Sequence, residues 1–354
     1  MDQLADRTTF SIAARQERFA HAAPTIEDVA RHAQVSRQTV SNTLNAPERV
    51  RPETLERVRD AINVLGYRAN RNARNLRTRT SRAIAYRIPP LGGHLNSVLD
   101  TFLHELTEAV ESIGCHVLLF ASKEDEEELA TYWELSAQSA ADGIVFAGTG
   151  RNDPRAALLK ERGMPFVSFG RTWGTEEHSW VDVDGRAGTT LAITHLLARG
   201  HRRFAWLGTT DDSPVNDERE LGVRETLRHA GVPGADLHVL RLKNDSESDR
   251  IAVGGLLDSP EAPTAFVSMS DLQALTVLGE LEARSLVPGR DAAVIGFDDS
   301  PVAAYAAGGL STVRQPITRV AREIARLLAS QLADPSAPYE GILLEPELVV
   351  RRTS

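Results

Sequence analysis

The sequence predicts an α/β protein in which a small N-terminal helical module precedes a large core of doubly wound parallel sheets. Residues 25–66 place apolar side chains at helical spacing and carry capping residues before the first two helices. From residue 83 onward, short apolar strands alternate with helical patterns, which is typical of parallel sheets covered by helices on both faces. The chain of 354 residues can hold both parts, since domains usually contain about 50–250 residues.

The first two helices of the module are predicted from caps and spacing together. Thr25 is placed to cap the first helix, and Asp28 three residues later completes a capping box. Ser36 is placed to cap the second helix, in which Val40 and Leu44 form the buried stripe. Because a tight turn separates the two helices, the sequence predicts a helix-turn-helix.

The second helix carries polar side chains that suit the major groove of DNA. Its first turns contain Arg37, Gln38, Ser41 and Asn42. Arginine pairs with the two acceptors of guanine, and glutamine pairs with the acceptor and the donor of adenine. A third helix is predicted over residues 52–66, with an apolar stripe at Leu55, Val58, Ile62 and Leu65.

The distribution of charge also favours DNA as the partner of this module. The net charge of −9 for the whole chain, taken alone, argues against a nucleic-acid partner. Residues 24–82, however, contain twelve Arg and six Asp or Glu, which gives them +6 and leaves −15 for residues 83–354. A basic module on an acidic body is typical of a DNA-binding protein, because phosphate attracts the one and repels the other.

The core contains two successive strand–helix units. The first predicts strands at residues 83–88, 116–121, 143–147 and 166–169, and helices at 98–113, 124–139 and 155–162. The second predicts helices at 185–199, 217–230, 248–257 and 271–284, and strands at 203–207, 237–241, 265–268 and 293–297. Such sheets bind ligands outside the carboxyl ends of their strands.

These motifs resemble the lactose-repressor (LacI/GalR) family of transcription regulators. In the module the resemblance rests on T-I-x-D-V-A from Thr25, V-S-x-x-T-V-S from Val35, Asn45, Gly66-Tyr67, Asn70, Ala73-Arg74 and Leu76. In the core it rests on Val181-Asp182-Val183-Asp184, His195-Leu196-Leu197, Gly200-His201-Arg202-Arg203, Arg219, Gly222, Gly296-Phe297-Asp298-Asp299 and Val313-Arg314-Gln315-Pro316. The chain departs from the family at Ala69, where proline is usual.

The resemblance implies a two-lobed, periplasmic-binding-protein-like core behind a helix-turn-helix headpiece. The chain would cross between the lobes near Val183, Val313 and Gly341, and a helix over residues 318–333 would return to the first lobe. The expected parts are an extension at 1–23, the DNA-binding domain at 24–70, a hinge helix and linker at 71–82, and the core at 83–354. Within the core, the first lobe takes about 83–182 plus 314–338 and the second about 183–313 plus 340–354.

Residues 71–77 are too short a segment to form a stable isolated helix in water. The resemblance implies that this segment folds as a hinge helix when two copies meet in the minor groove, with Leu76 as an apolar wedge. A flexible Arg-rich linker is the alternative interpretation. The residues expected to contact DNA are Thr25, Ser36, Arg37, Gln38, Thr39, Ser41, Asn42, Asn45, Arg51, Tyr67, Asn70, Arg74, Leu76 and Arg77.

The resemblance also implies a small-molecule effector in the cleft between the lobes. Arg219 and Asp298 match the family's effector-binding arginine and aspartate, a pair that suits vicinal hydroxyls. Trp173 and Trp180 lie in polar loops, where they can stack on a sugar ring or pack in an interface. The residues expected at the site are Arg87, Asn96, Ser97, Arg171, Trp173, Trp180, Arg219, Ser270, Asp271, Asp298 and Gln315.

The sequence therefore predicts a cytoplasmic, homodimeric repressor that a sugar or oligosaccharide releases from a near-palindromic operator. A purine- or nucleoside-sensing regulator, in which the ligand strengthens DNA binding, is the alternative within the family. A solute-binding transport protein and a sugar-processing enzyme are the alternatives from other classes. The headpiece and the lack of a signal-peptide pattern argue against the former, and the lack of a nucleophile–base motif argues against the latter.

No cofactor, metal site or membrane segment is predicted. Cys115, the single cysteine, lies in an apolar run and is expected to be a core thiol. No apolar run approaches the length of about 18 residues that a membrane helix needs.

Overall fold

The computed structural model describes residues 24–67, 80–88, 97–122, 125–174, 177–211, 213–232, 236–243 and 246–354. The predictions on residues 1–23, on most of the hinge, and on Asn70, Arg74, Leu76, Arg77 and Asn96 lie outside these ranges, as does the side chain of Ser97. The chain divides into two compact units, Met1–Arg79 and Thr80–Ser354, and each is described by itself.

The N-terminal unit is a module of three helices around a small apolar core. Val29, Val40 and Val58 contribute one fully buried side chain from each helix. The prediction that Leu44 is buried is wrong, because its side chain is 39% exposed and Thr43, one position earlier, lies in the core instead. The helices are α1 (Ile26–His32), α2 (Arg37–Asn45) and α3 (Pro52–Leu65).

The predicted capping residues fix the ends of these helices. The backbone N–H of Thr25 donates to Asp28 at 3.0 Å, and the backbone N–H of Asp28 donates to the Thr25 hydroxyl at 3.3 Å, which confirms the capping box. The Ser36 hydroxyl accepts from the backbone N–H of Thr39 at 3.1 Å. Gly66 ends α3 with a φ of 62°, a conformation that a side chain disfavours.

The described part of the core contains two six-stranded sheets. The first has the order β11-β5-β4-β3-β1-β2, and its strands are β1 (Ala83–Ile88), β2 (His116–Ala121), β3 (Gly143–Phe146), β4 (Phe166–Phe169), β5 (Ser179–Val183) and β11 (Gly341–Leu344). The second has the order β12-β10-β9-β8-β6-β7, and its strands are β6 (Phe204–Thr209), β7 (Leu237–Leu242), β8 (Ala265–Ser268), β9 (Ala293–Asp298), β10 (Ser311–Arg314) and β12 (Glu347–Val349).

All of these strand pairs are parallel except β10 with β12. Helices cover the sheets, as the alternating pattern predicted. They are α4 (Ser97–Ser112), α5 (Asp125–Ala137), α6 (Pro154–Glu161), α7 (Gly185–Ala198), α8 (Pro214–His229), α9 (Ser246–Leu257), α10 (Asp271–Ala283) and α11 (Ile317–Ala333). None of the helices among the described residues is long and apolar enough to span a bilayer.

The third crossing between the lobes differs from the prediction. Gly341–Leu344 pairs with β5 in the first sheet, so the chain passes to the second sheet only near Glu345. The expected second-lobe range of 340–354 is therefore too long at its start. The short strand β11 pairs with β5 about 160 residues earlier in the chain, and the sequence pattern does not show to which sheet such a strand belongs.

Close packing against α7 fixes the position of α8, the helix that carries Arg219. The Thr189 hydroxyl on α7 donates to the backbone carbonyl of Arg219 on α8 at 2.8 Å. Gly222 permits this approach, because a Cβ at that position would lie 2.5 Å from the carbonyl oxygen of Arg186. The prediction that Cys115 is a buried thiol is confirmed.

We expect Gly222→Ala to lower the thermal stability of the core. The added methyl group meets backbone atoms of α7 and forces the helices apart, at a cost of about 1–3 kcal/mol. Gly279→Ala is the control, since its Cβ would have no neighbour within 4 Å on an exposed helix face and should leave stability equal or higher. Calorimetric melting of both variants tests this, and equal melting temperatures would contradict the packing argument.

Candidate functional site

The outer face of α2 presents the side chains that were predicted to read DNA. Arg37 and Gln38 are exposed on its first turn. The Gln38 amide donates to the Asn42 side chain at 2.9 Å, and the Arg37 guanidinium lies 3.4 Å from the Glu27 carboxylate. Such exposed contacts stabilise little, so both side chains can exchange them for base edges at small cost.

A shallow basic groove of about 360 Å³ lies beside this face within the same module. Arg49, Arg51 and Arg57 line it together with Ser36, Thr39 and Asn42. Three guanidinium groups around hydroxyl and amide groups suit a phosphate of the DNA backbone. Arg49 and Arg57 were not named from the sequence, although both belong to the positive charge of the module.

The remaining residues expected at the DNA interface have structural contacts in the module. Thr25 caps α1, and the Asn45 amide donates to the backbone carbonyl of Ser41 at 2.7 Å. The half-buried Tyr67 packs against the apolar core of the three helices. These contacts fix the surface on which Arg37 and Gln38 stand.

A cavity of about 600 Å³ lies between the two lobes of the core. Its walls come from the carboxyl ends of strands, where parallel sheets present ligand-binding residues, and from the first turns of the helices that follow them. The first lobe contributes Val98, Leu99, Gly148, Thr149, Gly150, Phe169, Gly170, Asp182 and Val183. The second contributes Thr209, Asp211, Ser213, Pro214, Val215, Arg219, Met269, Ser270, Leu272, Asp298 and Gln315.

Arg219 is a buried cation in the wall of this cavity. Its side chain lies over the Phe297 ring, 3.6 Å from the centroid, and one guanidinium nitrogen donates to the Met269 carbonyl at 2.5 Å. Burial lowers the pKa of Arg219, whereas the nearby carboxylates of Asp298 and Asp182 raise it. The Nε of Arg219 is itself buried and has no hydrogen-bond partner among the described residues.

Asp298 lies at the end of β9 in a strained backbone conformation. Its φ is 113°, and the following Asp299 has a φ of 53°, both unusual for residues with a side chain. The Gln315 amide donates to one Asp298 carboxylate oxygen at 2.7 Å. Burial raises the pKa of the Asp298 carboxyl to about 7, the Arg219 guanidinium opposes this rise, and Asp271 adds to it.

Asp271 does not line the cavity, which corrects the expectation from sequence. It is 2% exposed, and its carboxylate accepts from the backbone N–H and the hydroxyl of Ser300, both at 2.7 Å, and from the Thr312 hydroxyl at 2.6 Å. It therefore holds the turn that follows Asp298. Ser270, by contrast, lines the cavity and also caps α10.

Trp173 and Trp180 do not line the cavity either. The Arg171 guanidinium lies 4.3 Å from the Trp173 centroid and 5.8 Å from the Trp180 centroid. Trp180 stands on β5 rather than in a loop, and its ring packs over Gly341, where a Cβ would collide with it. The two rings thus pack around a cation, and neither contributes to the cavity wall.

Arg171 joins the two lobes instead of facing the cavity. Its guanidinium binds Asp182 on β5 at 2.8 Å and Glu218 on α8 at 2.5 Å. Burial raises the pKa of Glu218, and the Arg171 charge lowers it. A second, more exposed ion pair of 2.7 Å links Arg151 of the first lobe to Asp217 of α8.

Arg87 lies in a neighbouring cavity of the first lobe, not in the interlobe cavity. It donates to Glu128 at 2.6 Å. The sequence reasoning also missed Thr149, Phe169, Thr209 and Asp211, all at or just beyond the carboxyl ends of strands. Because ligands bind beyond the carboxyl ends of parallel strands, such residues can be predicted from strand ends. The predicted strand ended at residue 207, however, whereas β6 continues to Thr209.

Comparison with known proteins identifies the family. Residues 25–70 match bacterial regulatory proteins of the lacI family, and residues 193–354 match a periplasmic binding protein-like domain. The HTH-type transcriptional regulator CelR of Thermobifida fusca is 33% identical over 336 residues, which cover 93% of this chain and 98% of CelR. The chain belongs to the lacI family. Membership confirms the predicted fold class and the predicted function as a DNA-binding transcription regulator.

Two solved structures of lacI-family regulators have the same fold. A complex of the transcriptional regulator CelR with cellobiose has a TM-score of 0.69 and 31% identity, and covers 94% of this chain and 100% of its own. The lac repressor dimer bound to operator and the anti-inducer ONPF has a TM-score of 0.81 at 22% identity, over 93% and 98% of the two chains. The latter likeness bears on the fold alone.

We expect Arg37→Ala to weaken operator binding by about 1–3 kcal/mol and to relax the preference at one base position, because a base-edge contact is lost. Arg51→Ala is the matched variant, since a phosphate contact should weaken all sequences alike. Binding isotherms on a library of operator variants measure both effects. An equal loss for every sequence in Arg37→Ala would contradict its base-reading role.

Proposed function

We propose that this chain is a homodimeric repressor that binds a near-palindromic operator and is released when a sugar occupies the interlobe cavity. It acts in the cytoplasm at the nucleoid, and by binding rather than by catalysis. The observation that carries the proposal is the pair of a buried cation, Arg219, and a buried carboxyl, Asp298, in the wall of the same cavity. A lacI-family headpiece on this core links that cavity to DNA.

The wall suits the hydroxyl groups of a sugar. A ligand hydroxyl can accept a hydrogen bond from the Arg219 guanidinium and donate one to the Asp298 carboxylate. Gln315 fixes the carboxylate through one oxygen, and Ser270 and Thr209 add further hydroxyls to the wall. That the CelR relative was solved with cellobiose also favours a sugar as the effector here.

The first turns of α8 can transmit occupancy of the cavity to the angle between the lobes. Asp217 and Glu218 on this helix bind Arg151 and Arg171 of the first lobe, and the next residue is Arg219 in the cavity wall. A ligand that changes the position of α8 therefore changes both ion pairs. It shifts the equilibrium between two lobe arrangements by its difference in affinity for them.

Binding without catalysis is favoured by the site's chemistry. A buried Ser168 hydroxyl lies 3.0 Å from His178 Nε2, but it donates to the Gly170 carbonyl at 2.7 Å and is 0% exposed. This pair is closed to substrates, and the interlobe cavity itself is lined by no histidine, cysteine or lysine among the described residues.

A thermal-shift screen against sugars, nucleosides and purines identifies the ligand, because a compound that binds the native state raises the melting temperature. Fluorescence anisotropy with labelled operator then measures whether the hit releases the protein. If only a purine or a nucleoside binds, and if it strengthens operator binding, the protein is a corepressed regulator and the sugar proposal is wrong.

We expect Arg219→Ala to give a repressor that binds its operator normally but no longer responds to the sugar. Loss of a charge-assisted hydrogen bond in a buried site should weaken sugar binding by about 2–3 kcal/mol or more, near 100-fold. Arg224→Ala on the same helix is the control, because that side chain is 52% exposed and pairs with Glu220. Titration calorimetry measures both affinities, and equal values for Arg219→Ala and wild type would remove Arg219 from the site.

We expect sugar affinity to rise as the pH is raised towards 7 and then to level off. A ligand that needs the Asp298 carboxylate binds the ionised form, and burial holds its pKa at about 7. Below that pH the affinity should fall by up to tenfold per pH unit. Raising the pH from about 4 to 7 should also lower the stability of the unliganded core, because the Asp298 carboxyl ionises in the unfolded chain before it ionises in the folded core. Calorimetric titrations from pH 5.5 to about 8.5 test this; a flat profile in wild type, equal to that of Asp298→Asn, would contradict it.

A further inference from the structure

We propose that the core contains a second sugar subsite in the first lobe, so that the effector is a linear saccharide of at least two rings. This inference rests on the proposed function. The subsite is a cavity of about 310 Å³, called the first-lobe annex here. The residues that define it are Tyr86, Arg87, Glu128, Leu129, Phe146 and Arg155.

The annex adjoins the interlobe cavity at a shared wall. Leu99, Gly148 and Gly150 line both spaces. A Cβ on either glycine would have no heavy atom within 4 Å, so no side chain fills the space beside this shared wall. A ligand held by Arg219 and Asp298 in the larger cavity can therefore continue past these glycines into the annex.

The size of the annex suits one further sugar unit. Small-molecule sites usually measure about 300–1,000 Å³, and the annex lies at the lower end of that range. The interlobe cavity of about 600 Å³ takes the first ring with its hydroxyl partners. The two spaces together match an elongated ligand better than a single compact ring.

The annex has a fixed and balanced set of charges. The Glu128 carboxylate is almost fully buried and accepts from Arg87 at 2.6 Å, from Arg155 at 3.2 Å and from the Tyr132 hydroxyl at 2.7 Å. Arg155 also binds Asp153 at 2.6 Å. Arg151, the third guanidinium group that lines the annex, pairs with Asp217 at 2.7 Å. Because each guanidinium group is paired with a carboxylate, the cluster suits neutral hydroxyls rather than a phosphate or a carboxylate.

Apolar side chains complete the wall. Leu99 and Leu129 offer surface for the C–H groups of a sugar, and Phe146 lies under the Arg155 guanidinium at 4.5 Å. The sequence allowed Trp173 and Trp180 to stack on a sugar ring, but both pack around Arg171 instead. The annex supplies the space that those tryptophans do not.

Two variants that fill different parts of the path test the subsite. Gly150→Leu puts a side chain at the junction, where the backbone has no positive φ and the Cβ position is open. Leu129→Trp enlarges a residue that lines the annex but not the interlobe cavity. Gly279→Leu, on an exposed helix face of the second lobe, is the matched control.

Titration calorimetry on the full-length protein uses glucose, galactose, cellobiose, maltose and lactose. In wild type and Gly279→Leu, we expect one disaccharide to bind at least 30-fold more tightly than its component monosaccharides. In Gly150→Leu and Leu129→Trp, this advantage should disappear. Leu129 lines the annex alone, so Leu129→Trp should also keep monosaccharide affinity within threefold of wild type, which shows that this variant is folded.

Three outcomes would overturn the inference. A disaccharide advantage that survives both variants means that the second ring lies elsewhere. Monosaccharides that bind as tightly as every disaccharide mean that the annex is not a subsite. Equal losses for both ligand classes in both variants mean that the annex does not act separately from the interlobe cavity. If no sugar in the thermal-shift screen binds wild type, the proposed sugar function itself fails, an outcome distinct from these three.

Discussion

The cleft of this protein is organised around one buried positive charge. Removing a guanidinium group from water is costly unless hydrogen bonds and opposite charges surround it. Arg219 receives the face of Phe297, the Met269 carbonyl and the field of Asp298 and Asp182. The packing of α7 on α8 through Thr189 fixes the backbone that carries it. Phe297, Met269 and Asp298 of the second lobe thus all stabilise this buried charge.

The two ion pairs between the lobes differ in strength for a physical reason. Arg151 and Asp217 are each about half exposed, so water and salt screen their attraction. Arg171 and Glu218 are about one-fifth exposed, and the two indole rings shield the guanidinium from solvent. Screening therefore weakens the second pair less than the first, and the two indole rings line the guanidinium that makes this contact.

Local chemistry was predictable from the sequence, whereas long-range pairing was not. The caps at Thr25 and Ser36 and the helix end at Gly66 depend on residues within four positions, and all three were predicted correctly. Asp271 follows a strand end in the sequence, but its buried carboxylate binds Ser300 and Thr312, which lie 29 and 41 residues away. Trp180 likewise packs on Gly341, a neighbour that only the pairing of β5 with β11 reveals. Residues whose role depends on such partners cannot be assigned from periodicity.

The late passage from β11 to β12 restricts how the lobes can move. Glu345 and Pro346 alone join the two strands, and the fixed φ of proline leaves this link little slack. β11 pairs with β5 and β12 pairs with β10, so all three crossings leave from neighbouring strands at one edge of each sheet. Rotation of one lobe against the other about this edge strains the three connections least. We therefore expect a ligand in the cleft to act on the lobes as a torque about this edge.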